Sequence, residues 1–251
     1  MPPAAPPRDD TDVHIPGTTG RSESQHPVLS AFARTVVPLL GRLTVTTTGT
    51  ARTIAPGSIV APNHTALADP GLVLAALHRL GVEPVVLATA GLWKIPILGR
   101  RLTREGHIPV HRGSGSAAAA LDLAAEALAA GRVVVIYPEG GLPRRRDSAD
   151  REPGTFRTGL ARLALTTGAP VVPLGHAGAR RIVSGGRVKQ LAGVLTAPLR
   201  RPDLHVHLGE PVHLTGDIGE ATVHARTAVG AAWQQAVGQL PSSQRASNPQ
   251  A

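Results

Sequence analysis

Short apolar runs and amphipathic stretches alternate along most of this chain. The apolar runs are rich in Val, Ile and Leu, as strands buried in a sheet are, whereas the amphipathic stretches repeat apolar residues every three or four positions, as helices do. Strands are predicted at 43–48, 57–61, 83–88, 106–110, 132–137, 170–174 and 203–208, and helices at 27–43, 69–80, 114–130, 155–167 and 218–240. This order predicts an α/β domain with a mostly parallel central sheet flanked by helices.

The two ends of the chain lack this pattern. Residues 1–26 are rich in Pro, Gly, Ser and Thr and are predicted to be a disordered lead. Residues 241–251 are likewise predicted to be a disordered tail. Residues 27–240 are then expected to form a single domain, which is a usual size for one hydrophobic core. Within it, residues 183–196 are irregular and predict no definite element.

Composition narrows the possible chemistry. Hydrophobic residues make up 42% of the 251 residues, but aromatic residues only 2%, so the core must consist mainly of aliphatic side chains. The chain has no cysteine, which excludes disulfides, thiolate metal sites and a cysteine nucleophile.

An excess of cations indicates an anionic partner. Lys and Arg number 26 against 17 Asp and Glu, for a net charge of +9. Such a charge suits lipid headgroups, phosphorylated substrates or nucleic acid, but no nucleic-acid motif or set of stacking aromatic residues is present, so no nucleic acid is expected. The sequence lacks an apolar run long enough for a transmembrane helix and a signal-peptide core. We therefore expect a protein located in the cytosol or at the cytoplasmic surface of a membrane.

A histidine and an aspartate flank one predicted turn between a strand and a helix. His64 follows the strand at 57–61, and Asp69 precedes Pro70, a combination that predicts Asp69 as the N-cap and Pro70 as the first helical residue. An unperturbed imidazole titrates near physiological pH and suits a general base, and a carboxylate on its other nitrogen would fix its tautomer. On its own, an Asp-Pro pair is as well explained by capping alone.

Polar groups also follow other predicted strands. In open α/β sheets functional groups gather at the carboxyl ends of strands. These ends carry Arg112, the run Glu139-Gly140-Gly141, and His176 after the strand at 170–174. They are candidates for one shared site.

The order of these segments resembles the glycerolipid acyltransferase family, whose best-known activity is acyl transfer to lysophosphatidate. The family's motifs correspond to Asn63-His64-x4-Asp69, Gly106-His-Ile-Pro-Val-His-Arg112, Tyr137-Pro138-Glu139-Gly140 and Val171-Val-Pro-Leu174. The resemblance covers roughly residues 45–215. The third motif departs from the family's Glu-Gly-Thr-Arg, because this chain continues with Gly141-Leu142-Pro143-Arg144, which leaves the acceptor open.

The resemblance implies an enzyme that moves a fatty acyl group from acyl-CoA or acyl carrier protein to a hydroxyl of a phosphorylated glycerolipid, without a metal or redox cofactor. It implies His64 as the base and Asp69 as the group that orients it. The acceptor side would comprise Asn63, Arg112, Glu139, Gly140, Gly141 and Arg144. Arg112 would pair with the acceptor's phosphate, and Arg144 would replace the displaced motif arginine.

Two other interpretations remain. Gly113-Ser-Gly115-Ser-Ala-Ala118 follows a predicted strand and opens a helix, and with Glu139 further on it fits a dinucleotide-binding fingerprint of an oxidoreductase. That interpretation leaves His64, Asp69 and Arg112 without a role. A non-catalytic, basic lipid-binding domain is the second alternative, and it predicts that His64 is dispensable.

Overall fold

A seven-stranded sheet forms the centre of the protein. The computed structural model describes residues 28–49, 53–111, 116–142 and 149–245. The strands are β1 (Arg42–Thr47), β2 (Ile59–Pro62), β3 (Val85–Thr89), β4 (Ile108–Val110), β5 (Val134–Val135), β6 (Val171–Ala177) and β7 (Asp203–Leu208). Their spatial order is β1-β7-β6-β2-β5-β3-β4. Strands β6 and β7 pair antiparallel and the other neighbours pair parallel, which confirms the predicted mostly parallel α/β sheet.

Helices cover both faces of this sheet. They are α1 (Val28–Leu40), α2 (Asp69–Arg79), α3 (Pro96–Arg104), α4 (Ser116–Ala129), α5 (Gly159–Thr167), α6 (Arg187–Arg200), α7 (Ile218–Gly238) and α8 (Ser242–Arg245), with 3₁₀ turns at Ala90–Lys94 and Ala179–Arg181. Helices α1, α2 and α6 share one core cluster, and α4, α5 and α7 share the other. None of the helices in the described ranges is long and apolar enough to cross a membrane.

Strand β2 shows how the sequence divides between the two faces. Ile59 and Ala61 point into the α4–α5–α7 side, whereas Val60 points into the α1–α2–α6 side, as the two-residue period of a strand requires. All three are completely buried. Burial of a valine or isoleucine side chain stabilises the fold by about 1.5–3 kcal/mol. Strand β2 is therefore held firmly in the core, and it positions the residues that follow it.

The order of the strands brings the candidate residues to one edge. Strand β2 lies between β6 and β5, and all three run parallel. Their carboxyl ends lead to His64, His176 and Glu139, respectively. Because the candidate catalytic residues of the sequence analysis meet here, we call this edge of the sheet the catalytic edge.

Three elements differ from the sequence predictions. Residues 183–196, which predicted no definite element, belong largely to helix α6. Strand β6 runs on to Ala177 and so includes His176. The short helix α8 lies within the segment predicted as a disordered tail, whereas the predicted lead at 1–26 and the last residues of the tail lie outside the described residues.

Candidate active site

The turn between β2 and α2 is folded around one carboxylate. Asp69 Oδ2 accepts hydrogen bonds from the backbone amides of Thr65 and Ala66, the latter at 2.8 Å. The prediction that Asp69 is the N-cap is wrong, because Asp69 is the first helical residue and Ala68 precedes it without a capping side chain. The carboxylate turns back towards the strand and binds these two amides of the tight turn. It therefore shapes the segment that carries His64.

His64 and Asp69 form a hydrogen-bonded pair. His64 Nδ1 lies 3.0 Å from Asp69 Oδ2. Because an ionised carboxylate only accepts hydrogen bonds, Nδ1 carries the proton and Nε2 keeps its lone pair. The Asp69 side chain is fully buried, whereas that of His64 is 14% exposed. The pair thus has the arrangement of a general base, with a buried carboxylate behind an imidazole that reaches the surface.

The surroundings of Asp69 keep it ionised. Burial alone would raise the pKa of this carboxyl, but the nearby His176, the hydrogen bond from His64 and the Ala66 amide outweigh burial and hold its pKa below the ordinary value. Asp69 therefore stays negative at neutral pH and can stabilise a positive charge that develops on His64.

Asn63 and His176 lock the turn to strand β6. The Asn63 side chain accepts from the His176 amide at 2.8 Å and donates to the His176 carbonyl at 3.1 Å. His176 Nε2 donates to the Asn63 carbonyl at 2.7 Å and lies 3.6 Å from Asp69 Oδ2. Both side chains are completely buried. Asn63, placed on the acceptor side by the resemblance, is thus used within the protein.

Replacing Asn63 with Ala should destabilise the fold. The variant leaves the buried amide and carbonyl of His176 without their side-chain partners, which is expected to lower the free energy of unfolding by about 2–4 kcal/mol. Urea denaturation measures this difference. Thr35→Ala is a matched control, because it removes an exposed side-chain hydrogen bond to the Ala31 carbonyl. Equal unfolding free energies for Asn63→Ala and the control would contradict the locking role.

Glu139 holds the backbone at His64. Its Oε1 accepts from the His64 amide at 2.7 Å and its Oε2 accepts from the Gly154 amide at 3.1 Å. Burial raises the pKa of Glu139, although these two amides and the neighbouring His64 and His176 oppose the rise. With both oxygens engaged by backbone amides, Glu139 positions His64.

Glu139→Gln should impair turnover more than folding. A glutamine has one accepting oxygen, so its NH₂ group would face one of the two amides that Glu139 now binds. We expect a loss of stability of about 1–3 kcal/mol and a fall in kcat of about 10–100-fold as His64 shifts. The measurement is acyl transfer at saturating substrate beside thermal unfolding. Glu152→Gln, at an exposed carboxylate that contacts Arg226, is the control, and an unchanged kcat for Glu139→Gln would exclude the positioning role.

Three further residues lie near the pair and were not selected from the sequence as site residues. The Tyr137 ring lies 4.5 Å from the His64 ring, and burial together with the charge of Asp69 raises the pKa of its hydroxyl far above the ordinary value. Arg180 Nη1 donates to the Thr65 carbonyl at 2.6 Å. Asp150 accepts from the Gly178 amide. Tyr137 stands within a motif that the resemblance quoted, but Arg180 and Asp150 carry no local signal.

Position 140 requires glycine because of its backbone conformation and because a neighbouring side chain leaves no room for a Cβ. Its φ of +69° lies in the left-handed region, and a Cβ there would lie 2.4 Å from Arg157 Cδ. The Arg157 side chain therefore lies directly over Gly140, next to the residue that holds His64. Gly141 follows at the edge of the described segment.

Several predicted site residues fall outside the described part of the chain. These are Arg112 and Arg144 on the acceptor side, and Gly113 and Gly115 of the dinucleotide fingerprint. Their roles stay predictions. Of the other candidates, the structure brings His64, Asp69, Asn63, Glu139 and Gly140 together at the catalytic edge. In the described ranges, no group of three or more His, Asp or Glu residues is placed to hold a metal ion.

Comparison with known proteins defines the class. The family model described as Acyltransferase matches residues 42–177, which contain the whole His64–Asp69–Glu139–His176 arrangement. The chain therefore belongs to the acyltransferase family, and the resemblance inferred from its motifs is confirmed.

Two named proteins are similar to this chain. It is 32% identical over 117 residues to a 1-acyl-sn-glycerol-3-phosphate acyltransferase of Borreliella burgdorferi, an alignment that spans 46% of this chain and 44% of that protein. Its fold matches the crystal structure of the 1-acyl-sn-glycerophosphate (LPA) acyltransferase PlsC from Thermotoga maritima with a TM-score of 0.64 and 20% identity, covering 85% of this chain and 80% of that one. The alignment thus covers less than half of the curated relative, and the structural match shows a shared fold.

Proposed function

We propose that this protein transfers a fatty acyl group from a thioester donor, acyl-CoA or acyl carrier protein, to the hydroxyl of a lysophosphatidate-like acceptor. The observation that carries the proposal is the His64–Asp69 pair, in which Nδ1 is bound to a buried carboxylate and Nε2 is the unprotonated nitrogen. Membership of the acyltransferase family and the name of the B. burgdorferi relative support the reaction and the class of acceptor.

The residues at the catalytic edge can perform this reaction. His64 Nε2 removes the proton of the acceptor hydroxyl as its oxygen attacks the thioester carbonyl, and Asp69 stabilises the imidazolium that results. The tetrahedral intermediate then expels the donor thiolate, which takes the proton back from His64. The products are an ester and a free thiol, and His64 returns to its neutral form.

The acceptor side is proposed from the cations near this edge. Arg112 and Arg144, at the positions suggested by the family motifs, would bind the acceptor's phosphate. Arg157 lies over Gly140 and adds a described cation next to Glu139. The net charge of +9 supports a peripheral position on the cytoplasmic face of a membrane, where anionic lipids would attract the protein.

A panel of donors and acceptors tests the proposal. Radiolabelled palmitoyl-CoA and palmitoyl carrier protein are each offered with lysophosphatidate, lysophosphatidylglycerol, lysophosphatidylcholine and glycerol 3-phosphate. We expect transfer to lysophosphatidate to exceed transfer to lysophosphatidylcholine, which has no anionic phosphate monoester. Transfer only to another acceptor would support the acyl-transfer reaction but would reject lysophosphatidate as the acceptor. Folded protein that transfers nothing would reject the proposal.

A further inference from the structure

Helix α6 turns an apolar stripe away from the protein. Four of its aliphatic side chains are 62–89% exposed, namely Val188, Leu191, Leu195 and Leu199. Their spacing of three and four residues places them within about 80° of the helix circumference. Ala197, on the opposite side, is completely buried in the core. The helix therefore packs by its small inner face and leaves its large apolar residues outside.

The connection that carries α6 starts and ends at the catalytic edge. The connection begins where β6 ends, at Ala177, and it ends where β7 begins, at Asp203. The two strands pair antiparallel, with Ala177 opposite His205. Gly178 is so close to β7 that a Cβ on it would lie 2.2 Å from the Asp203 carbonyl oxygen. Since the connection starts and finishes at this edge and Arg200 Nη2 of α6 donates to the Arg181 carbonyl at 3.1 Å, the C-terminal part of α6 lies beside that edge.

Contacts tie this connection to the catalytic turn. Arg180, in the 3₁₀ turn that leads to α6, donates to the Thr65 carbonyl between His64 and Asp69. Ala66 of the same turn shares a core cluster with Ala197 of α6. The connection that carries the exposed stripe thus contacts the turn that holds the proposed base.

Helix α1, which contacts α6, has exposed apolar residues of its own. It packs against α6, and Arg201, directly after α6, lies with Nη2 3.4 Å from the Pro38 carbonyl. Next to Pro38, Leu39 is exposed, as is Phe32 seven residues earlier on the same side of the helix. We call the six exposed residues the docking face: Phe32, Leu39, Val188, Leu191, Leu195 and Leu199.

The charges around the docking face indicate what kind of partner it binds. Neither α1 nor α6 contains an Asp or Glu, whereas exposed cations flank the α6 stripe at Lys189 and Arg200, and Arg201 follows directly after the helix. Two copies of this face would repel each other. An anionic bilayer offers both the negative surface and the apolar interior that such a helix pair requires.

We propose that the docking face inserts into the surface of an anionic phospholipid bilayer and presents the catalytic edge to lipids held there. The proposal rests on the proposed function in one respect, because a lysophosphatidate-like acceptor resides in that bilayer. The binding itself requires no turnover and is measured separately.

Vesicle co-sedimentation of the full chain tests the docking face. Leu195→Glu combined with Leu199→Glu places two carboxylates on the stripe without touching the site, and is expected to weaken binding to phosphatidylglycerol-containing vesicles at least about tenfold. Val223→Glu on α7 is the matched control, because Val223 is equally exposed on the other side of the sheet, and it should bind like wild type. Wild-type binding should fall with added salt and should be weaker to pure phosphatidylcholine.

Other outcomes would overturn the proposal. The proposal would be wrong if the double variant bound vesicles as well as wild type does, or if Val223→Glu lost as much vesicle binding as the double variant. A wild-type dimer that the double variant converts into a monomer, seen by light scattering without lipid, would assign the face to a second copy of the chain.

An activity measurement separates this inference from the proposed function. With a short-chain lysophosphatidate that stays dissolved, the double variant should turn over like wild type, whereas with an acceptor held in vesicles its rate should fall at least about tenfold. Vesicle binding that depends on α6 in a protein without any acyl transfer would reject the function and leave the docking face standing. A double variant as active as wild type on the vesicle-held acceptor would reject the docking face alone.

Discussion

Replacing His64 with Ala is expected to lower kcat/KM for acyl transfer by about 10²–10⁴-fold, the range that a positioned general base supplies. The variant removes the nitrogen that accepts the acceptor's proton, but it leaves Asp69 bound to the Thr65 and Ala66 amides and Glu139 bound to the backbone at residue 64. The turn should therefore keep its shape. The measurement is the rate with radiolabelled palmitoyl-CoA, together with circular dichroism and the unfolding midpoint.

His224→Ala is the control for this variant, because it removes an exposed histidine on α7, far along the chain from the turn. We expect His224→Ala to match wild type. A folded His64→Ala protein with wild-type kcat/KM would reject His64 as the base. It would then favour the interpretation of a lipid-binding domain in which this histidine is dispensable.

The sheet and the catalytic edge could be predicted from the sequence for a physical reason. Strands buried on both faces read as continuous apolar runs, and the connections between them are helical, so the class of fold follows from the order of the runs. The His64–Asp69 pairing was predictable because five residues on irregular backbone can bring the two side chains together. The roles of these residues were set by the family motifs.

Helix α6 was missed because its pattern contradicts the usual rule. The large apolar residues of α6 point outward, and the residues on its inner face are small. An interpretation that assigns the large apolar residues to the core therefore turns the wrong side of the helix inward. Gly193 and Pro198 within the helix weaken its propensity further. Whether an apolar stripe is buried in the core or exposed depends on contacts with the rest of the fold, which local sequence does not show.

Long-range contacts explain the other gaps. The prediction ended β6 at residue 174, before the glycine and histidine that follow, but pairing with β7 continues the strand to Ala177. His176 thereby comes opposite Asn63, which lies 113 residues earlier in the chain. The reversed direction of β7 is likewise decided by pairing, and Arg180 reaches Thr65 across 115 residues. No periodicity within a short window contains this information.

Asp69→Asn is expected to lower kcat/KM by about 10²–10⁴-fold while the turn remains folded, by analogy with the carboxylate of the serine-protease triad. An asparagine can place its oxygen where Oδ2 now accepts from the Thr65 and Ala66 amides, so the hydrogen bonds that shape the turn can persist. What is lost is the negative charge behind His64. The imidazolium that forms as the hydroxyl attacks then lacks its stabilising partner.

The same variant should change how stability depends on pH. Because the folded-state pKa of Asp69 is below its ordinary value, its ionisation adds stability above the unfolded pKa of about 4, and that contribution is lost as the pH falls through the folded-state value. Asp69→Asn lacks this term. Its free energy of unfolding should therefore be lower than that of wild type at neutral pH and should decline less on acidification, as urea titrations at several pH values can show.

Combining the two substitutions tests whether Asp69 acts through His64. If Asp69 only orients and stabilises the imidazole, adding Asp69→Asn to His64→Ala should cost almost nothing further, so that the double variant has the kcat/KM of His64→Ala alone. If Asp69 contacts the substrate or a second proton path, the two losses should multiply instead. An additive result would assign Asp69 a direct catalytic role, whereas a non-additive one ties the rate to the single hydrogen bond between Nδ1 and Oδ2.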